Sequence, residues 1–343
     1  MLIGISLIAL GAFSAGSFAI PFTRIKGWNW ETYWMVFSVG AYVIFPLVAC
    51  LLFAPNFIHI IRETESRTLI AVFVLGSIYG IGNLSFGLAL RYLGLSLGYA
   101  LSLGLMLAIG TLVPPIIDGR LQSMMSTSGG SLLLIGIVVA AVGVVFSAWA
   151  GILKDKKVAY SEKHQSVAEY NLVKGILAAA LVGITGSAMA LGFEQGLPIS
   201  LIAEANGVPS LFAMLPVFVV LLSGTFVSTV FWCLFLGTKN KSLDNYFRAE
   251  TGKVLSLNYV FGMLAGFLWF SQFIMYGMGK SKMGPSTFTS WGILMALTIA
   301  FATIWGLIRK EWKGASGRIY FLMAISLAIL IAASFIIGLS GLE

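Results

Sequence analysis

Charged side chains are scarce in this sequence. Asp, Glu, Lys and Arg together make up 10% of its 343 residues, whereas about 25% is typical of soluble domains. So few charges cannot cover the surface of a soluble protein of this size. The sequence therefore predicts a membrane protein, with the lipid bilayer as its surroundings.

Cysteine and histidine are almost missing, which excludes several kinds of chemistry. Cys50 and Cys233 lie in separate apolar runs, and His59 and His164 lie in separate polar loops. None of them has the spacing of metal ligands. The sequence also has no phosphate-binding P-loop and no Gly-x-Ser-x-Gly motif. We therefore expect no enzymatic activity, no metal site and no cofactor.

Long apolar runs are what the sequence has instead. Hydrophobic residues make up 59% of the chain, and their runs of about 18–25 residues have the length that a helix needs to cross a bilayer. Pro46 and Pro216 fall inside two of these runs and predict kinks there. We predict an all-α membrane protein with ten transmembrane helices, at residues 2–22, 33–54, 68–92, 97–117, 131–152, 173–195, 210–236, 254–278, 286–308 and 318–340.

The basic residues are unevenly distributed between the loops. Of the 21 Lys and Arg residues, 16 lie in the loops that follow spans 1, 3, 5, 7 and 9. Because cytoplasmic loops are enriched in basic residues, we expect these loops in the cytoplasm and both termini outside. The net charge of +8 is then a topology signal, and we expect no nucleic-acid partner.

The two halves of the sequence resemble each other. Spans 1 and 6 align at an offset of 171, so that Gly4 matches Gly175, and spans 3 and 8 align at an offset of 186, so that Gly76 matches Gly262. Because five spans per repeat is an odd number, the repeats enter the membrane from opposite sides, as in many secondary transporters. The predicted repeats are 1–153 and 172–343, joined by a cytoplasmic linker loop at 154–171.

Polar side chains inside the spans are candidates for a binding site, because they are costly in the bilayer. Trp269, Gln272 and Tyr276 are separated by three and four residues and therefore share one face of a helix. Asn83 places a second amide inside span 3, near Tyr79. Each amide bonds either a neighbouring helix or a ligand, and the residues leave both alternatives open.

Two further candidates open span 9, namely Ser290 and Trp291. The indole of Trp291 could instead belong to the aromatic belt at the membrane interface.

Acidic residues are missing from the middle of every predicted span. A proton-coupled carrier usually uses a carboxyl group whose pKa changes with burial. Glu194 and Glu204, near the end of span 6, are the proton-coupling candidates. Glu31 starts span 2 close to Arg24 and Lys26, and we expect a structural ion pair there.

Several longer motifs resemble one transporter family. The stretches GWNWETYW at 27–34, YGIGNLSFGLALRYLGLSLG at 79–98 and WFSQFIMYGMGKSKMGPSTFTSW at 269–291 resemble the L-rhamnose–proton symporter family of the drug/metabolite transporter superfamily. GTLVPPIIDG at 110–119 and KEW at 310–312 resemble it too. The resemblance implies ten helices in two inverted halves, a bacterial inner-membrane location, and uptake of a deoxy-sugar with a proton.

We therefore expect a secondary transporter that takes up a small neutral sugar, L-rhamnose or a related deoxy-sugar, by proton symport with alternating access. The alternatives are an exporter of amino acids or small metabolites and a sugar facilitator without coupling. A membrane scaffold or sensor is disfavoured because the loops are short and offer no output surface. The oligomeric state is not predicted.

Roles in sugar binding follow from the side-chain chemistry. We expect Trp269 and Tyr276 to flank the apolar face of the sugar. The amides of Asn83 and Gln272 would bond its hydroxyl groups. The other residues expected to line the pocket are Tyr79, Ser290 and Trp291.

Overall fold

The computed structural model describes residues 2–117, 119, 122, 126–157, 169–283 and 290–339. These residues are mostly helical, and no strand occurs among them. The α-helices are α1 (Leu2–Ser17), α2 (Trp30–Ser38), α3 (Phe45–Phe53), α4 (Phe57–Glu63), α5 (Ser66–Leu93), α6 (Leu95–Ile117), α7 (Ser128–Lys157), α8 (Leu172–Gln195), α9 (Leu197–Ala205), α10 (Leu215–Lys239), α11 (Gly252–Ser281), α12 (Ser290–Ile308) and α13 (Gly317–Leu339).

The long helices identify a multi-pass membrane protein. Within the described residues, nine helical segments are long and apolar enough to cross a membrane. The remaining predicted span, 97–117, corresponds to α6. Each predicted span therefore coincides with a helix. The first four residues of span 9, 286–289, lie outside the described residues.

Two expectations about helix geometry have different outcomes. A π-helical turn at Val39–Ile44 separates α2 from α3 just before Pro46, and the kink at this proline stays a prediction. The kink predicted at Pro216 is wrong, because α10 begins at Leu215 and this proline occupies its first turn. A proline costs little there, since the first N–H groups of a helix have no partner within it.

The predicted linker at 154–171 begins later than its composition indicates. Helix α7 continues through Lys157, so the first four linker residues are helical. Residues 158–168 lie outside the described part of the chain.

The chain forms two compact units. The first unit comprises Met1–Gly16, Gly82–Ala190 and Met278–Glu343, and the second comprises Ser17–Ile81 and Leu191–Gly277. Each unit draws on both halves of the sequence, so the units are not the two predicted repeats.

In the first unit, α6, α7, α12 and α13 pack against one another. The hydroxyl groups of Ser147 on α7 and Ser326 on α13 bond each other at 2.8 Å. Trp312 and Ile319 are buried against Ala150 in a hydrophobic cluster beside them. These contacts give the unit a core built from the C-terminal parts of both sequence halves.

In the second unit, α5 and α10 touch backbone to backbone. A Cβ atom at Gly76 would overlap the carbonyl oxygen of Leu221. The Thr225 hydroxyl donates to the Gly76 carbonyl oxygen at 2.9 Å. Only glycine allows helices to approach this closely, so this residue fixes the contact.

Two glycines of the second unit that are aligned by the sequence repeat each pack closely against a neighbouring span. Gly76 on span 3 lies against Leu221 on span 7. Its match, Gly262 on span 8, lies against span 2, where a Cβ atom would be 2.8 Å from Cγ1 of Val36. In two repeats of five spans, span 3 corresponds to span 8 and span 2 corresponds to span 7. The two glycine contacts therefore join corresponding pairs of spans.

The first unit contains a second pair of this kind. A Cβ atom at Gly4 on α1 would lie 2.9 Å from the Gly279 carbonyl oxygen on α11. A Cβ atom at Gly175, its match on α8, would overlap the side chain of Leu93 on α5. The offset of 186 that relates spans 3 and 8 also relates Leu93 to Gly279.

Candidate substrate-binding residues

Trp269 lies in an aromatic cluster of the second unit. Its ring centroid is 5.1 Å from that of Tyr42 and 4.8 Å from that of Phe273, both edge to face. The Tyr42 hydroxyl is buried and has no hydrogen-bond partner in the described part of the chain. The cluster therefore combines apolar ring surface with an unpaired hydroxyl, which suits a ligand with an apolar face and polar groups.

Gln272 and Tyr276 follow on the same face of α11. The Gln272 amide nitrogen donates to the Trp269 carbonyl oxygen at 2.7 Å, so this bond stays within one helix. The Tyr276 ring stacks on the ring of Phe193, with 6.1 Å between centroids. In this conformation, aromatic packing accounts for the rings of Trp269 and Tyr276.

Tyr79 is the remaining predicted binding residue in the second unit. It is buried on α5. Its role in lining the pocket remains a prediction.

Asn83 lies in the first unit, one helical turn along α5 from Tyr79. Its residue is 2% exposed, and neither its amide oxygen nor its amide nitrogen has a partner in the described residues. Leaving such a buried group unsatisfied costs roughly 1–3 kcal/mol. Because folded proteins pair most buried polar groups, Asn83 is the clearest candidate for a polar ligand contact.

Ser290 and Trp291 begin α12 in the first unit. Ser290 is fully buried, and its hydroxyl has no partner within the described residues. Trp291 is partly buried. Both positions remain predictions for pocket lining, at the N-terminal end of a helix whose body packs against α6.

The two predicted proton-coupling residues are exposed on the second unit. Glu194 lies in the last turn of α8, and Glu204 lies near the end of α9. Neither carboxyl group is buried in this conformation.

Glu31 differs from its expected role. It forms no ion pair with Arg24 or Lys26 in the described structure, and its carboxylate accepts hydrogen bonds from the Ser242 hydroxyl at 2.5 Å and the Asn240 amide at 3.0 Å. The ion-pair expectation was wrong because α2 buries this side chain toward the end of α10, away from the basic residues of the preceding loop.

Glu311 is a buried acid that the sequence argument did not single out. Its carboxylate accepts the backbone N–H groups of Leu95 at 2.9 Å and Ser96 at 3.1 Å, at the start of α6. Burial raises the pKa of Glu311, while these bonds and the nearby Lys154 and Arg309 act in the opposite direction. The KEW motif at 310–312 was the available sequence signal.

The described residues contain no group of three or more His, Cys, Asp or Glu side chains placed to hold a metal ion. What they contain is a set of apolar spanning helices with aromatic rings, amides and hydroxyl groups buried inside. These features define a multi-pass membrane protein with polar groups buried between its helices. The chain belongs to the L-rhamnose-proton symporter family, since the family model described as L-rhamnose-proton symport protein (RhaT) matches residues 1–342.

Curated relatives agree with this family. The chain is 33% identical over 342 residues to the L-rhamnose-proton symporter of Yersinia pestis (strain Pestoides F), covering 99% of this chain and 98% of the relative. The L-rhamnose-proton symporter of Yersinia pseudotuberculosis (serotype O:1b) matches with the same identity and coverage. No solved structure matches the chain.

Proposed function

We propose that this protein takes up L-rhamnose or a related deoxy-sugar together with a proton, by alternating access. Membership of the L-rhamnose-proton symporter family over nearly the whole chain carries this proposal. Export of amino acids or metabolites is not favoured, because the curated relatives are named as symporters.

The proposed architecture is ten transmembrane helices in two inverted repeats, in a bacterial inner membrane with both termini outside. The matched glycine contacts support the repeat, because Gly76 and Gly262 pack on spans 7 and 2, which are themselves counterparts. The distribution of basic loops supports the orientation. Labelling of single cysteines introduced near each terminus of a cysteine-free variant, in intact cells, tests it.

The predicted site residues are proposed to contact the sugar during the transport cycle. The amides of Asn83 and Gln272 bond hydroxyl groups, and the rings of Trp269 and Tyr276 pack against the apolar face. The unpaired amide of Asn83 is the observation that favours this assignment. Tyr79, Ser290 and Trp291 are proposed as further lining residues.

Single alanine variants of Asn83, Gln272 and Trp269 test the site. Each is expected to raise the half-saturating L-rhamnose concentration at least tenfold while inserting normally into the membrane. If all three variants show wild-type uptake kinetics, the assignment of these residues to the sugar-binding site is wrong.

Glu194 and Glu204 are the proposed proton-coupling residues. A Glu→Gln change at the coupling position should abolish gradient-driven accumulation and leave exchange of internal for external sugar intact. Glu65→Gln is the matched control, since Glu65 is another exposed acid of the second unit. If both variants accumulate sugar like this control, neither acid couples.

The decisive experiment is uptake of labelled L-rhamnose into proteoliposomes, with and without an inward proton gradient. Accumulation that a protonophore abolishes is the expected result. Equilibration that ignores the gradient would indicate a facilitator, and the lack of any uptake by well-reconstituted protein would contradict L-rhamnose as the substrate.

A further inference from the structure

Helices α5 and α6 form an antiparallel hairpin in the first unit, and two contacts fix their register. A Cβ atom at Gly98 would lie 2.9 Å from Cδ2 of Leu90. Next to Gly98 on α6, the ring of Tyr99 meets the ring of Phe86, which is one turn before Leu90 on α5, edge to face with centroids 5.0 Å apart. The face that α5 turns to α6 therefore includes Leu90 and Phe86.

The next turn along this interface holds Asn83 and Ser102. Asn83 is three residues before Phe86, and Ser102 is three residues after Tyr99. Counted from the contact of Leu90 with Gly98, Asn83 lies seven residues further along and Ser102 four, so at about 1.5 Å per residue the two are about 4.5 Å apart along the helix axes. Successive residues are about 100° apart, so Asn83 and Leu90 share a direction, as do Ser102 and Gly98. Both polar side chains therefore lie on the sides of α5 and α6 that face each other, within about one turn along the interface.

Neither side chain is satisfied. Both residues are buried, at 2% and 0% exposure, and both amide atoms of Asn83 and the hydroxyl of Ser102 have no hydrogen-bond partner in the described structure. Hydroxyl groups inside helices commonly bond the carbonyl three or four residues earlier. Ser187 does so in the same unit, donating to the Ile184 carbonyl oxygen at 2.7 Å. Ser102 lacks such a bond, which leaves its hydroxyl available to a ligand.

We propose that Ser102 is a sugar-binding residue that acts together with Asn83 on neighbouring hydroxyl groups of the substrate. The chemistry fits, because the amide offers two donors and an acceptor while the hydroxyl both donates and accepts. A sugar with adjacent hydroxyl groups can satisfy both side chains at once. This inference rests on the proposed function and adds a specificity-determining residue to it.

The test measures L-rhamnose binding to purified carrier by calorimetry, for wild type, Ser102→Ala, Asn83→Ala and the double variant. Each single variant is expected to lose roughly tenfold in affinity, the value of one good hydrogen bond. The double variant should lose less than the product of the two, because the residues share a ligand. Ser187→Ala, a buried serine with its own local bond, is the matched control and should stay within twofold.

Singly deoxygenated L-rhamnose analogues give a readout that a structural role would not move. Wild type should bind one or two of them about tenfold more weakly than L-rhamnose, and Ser102→Ala should discriminate less against that same analogue. Unchanged affinity and unchanged discrimination in Ser102→Ala would overturn the inference, as expected if only a water molecule bridges the pair.

A panel of neutral monosaccharides separates this inference from the proposed function. If wild type binds L-rhamnose and Ser102→Ala binds it equally well, the inference alone fails. If wild type prefers another sugar and Ser102→Ala loses affinity for it, the inference stands and the substrate assignment changes. If wild type binds no sugar, both fail.

Discussion

The carboxylate of Glu311 accepts the backbone N–H of Leu95 at 2.9 Å. A helix start carries N–H groups without partners, so this side chain serves as a cap supplied from a distant loop. The buried ammonium group of Lys154 donates to the Glu311 carbonyl oxygen and lies 5.0 Å from the centroid of the Trp312 ring. The loop after α12 is thereby held to the start of α6 and the end of α7.

The first prediction concerns the pH dependence of stability at Glu311. Burial raises its pKa above the ordinary value of 4.5, so the folded chain binds this proton more tightly than the unfolded chain. Its contribution is therefore most favourable below pH 4.5 and declines as pH rises from there through the folded pKa. Glu311→Gln removes this contribution. In detergent, the melting temperature of wild type should fall relative to that of Glu311→Gln over this window, and parallel curves would contradict the prediction.

The second prediction concerns the glycine contact of the second unit. Gly76→Ala should destabilise the protein by about 1–3 kcal/mol, because the added methyl overlaps the Leu221 carbonyl oxygen and the helices must separate. Gly252→Ala is the matched control, since nothing lies within 4 Å of its added Cβ. Thermal unfolding of both variants gives the comparison, and equal melting temperatures would show that α5 and α10 do not need this approach.

The third prediction sets stability against function at Asn83. Asn83→Leu removes a buried unpaired amide, so it should raise the melting temperature of the sugar-free carrier, by an amount equivalent to about 1 kcal/mol or more. Uptake should be lost. Thr225→Val is the contrasting variant, because its hydroxyl bonds the Gly76 carbonyl oxygen at 2.9 Å and its loss should lower the melting temperature. A destabilised Asn83→Leu would mean that the amide is satisfied in the resting carrier.

The fourth prediction concerns the hydrogen bonds of Glu31. Glu31→Ala should cost roughly 1–3 kcal/mol, because it leaves the Ser242 hydroxyl without its acceptor. Ser242→Ala alone should cost less, and the double variant should cost less than the sum of both. The free energies of unfolding in a denaturant titration measure this coupling. Additive values would contradict the bond.

The sequence predicted the spanning helices well, because long apolar runs depend on the bilayer and not on tertiary contacts. It placed Pro216 inside a span, whereas this proline lies in the first turn of α10. The hydrophobicity of the run did not show where the helix begins. Charge proximity along the chain likewise suggested an ion pair for Glu31, and the true partners are about 210 residues away.

The candidate site was predicted unevenly for the same reason. The amide of Asn83 stood out as a polar group in an apolar run, and in the described residues it has no hydrogen-bond partner. Ser102 was only one of several polar residues near the start of span 4, and serine is common in membrane helices. Its significance depends on the register between α5 and α6, which a single sequence does not contain.

The contact between Gly76 and Leu221 also limits how the carrier can move. Where two backbones touch with no side chain between them, sliding by one residue would bring the side chain of a neighbouring residue against the Leu221 carbonyl oxygen. The paired segments of α5 and α10 are therefore expected to move together as one rigid body. A rearrangement that exposes the sugar first to one side of the membrane and then to the other must move these segments together. Any bending of α5 or α10 then occurs outside the paired segments.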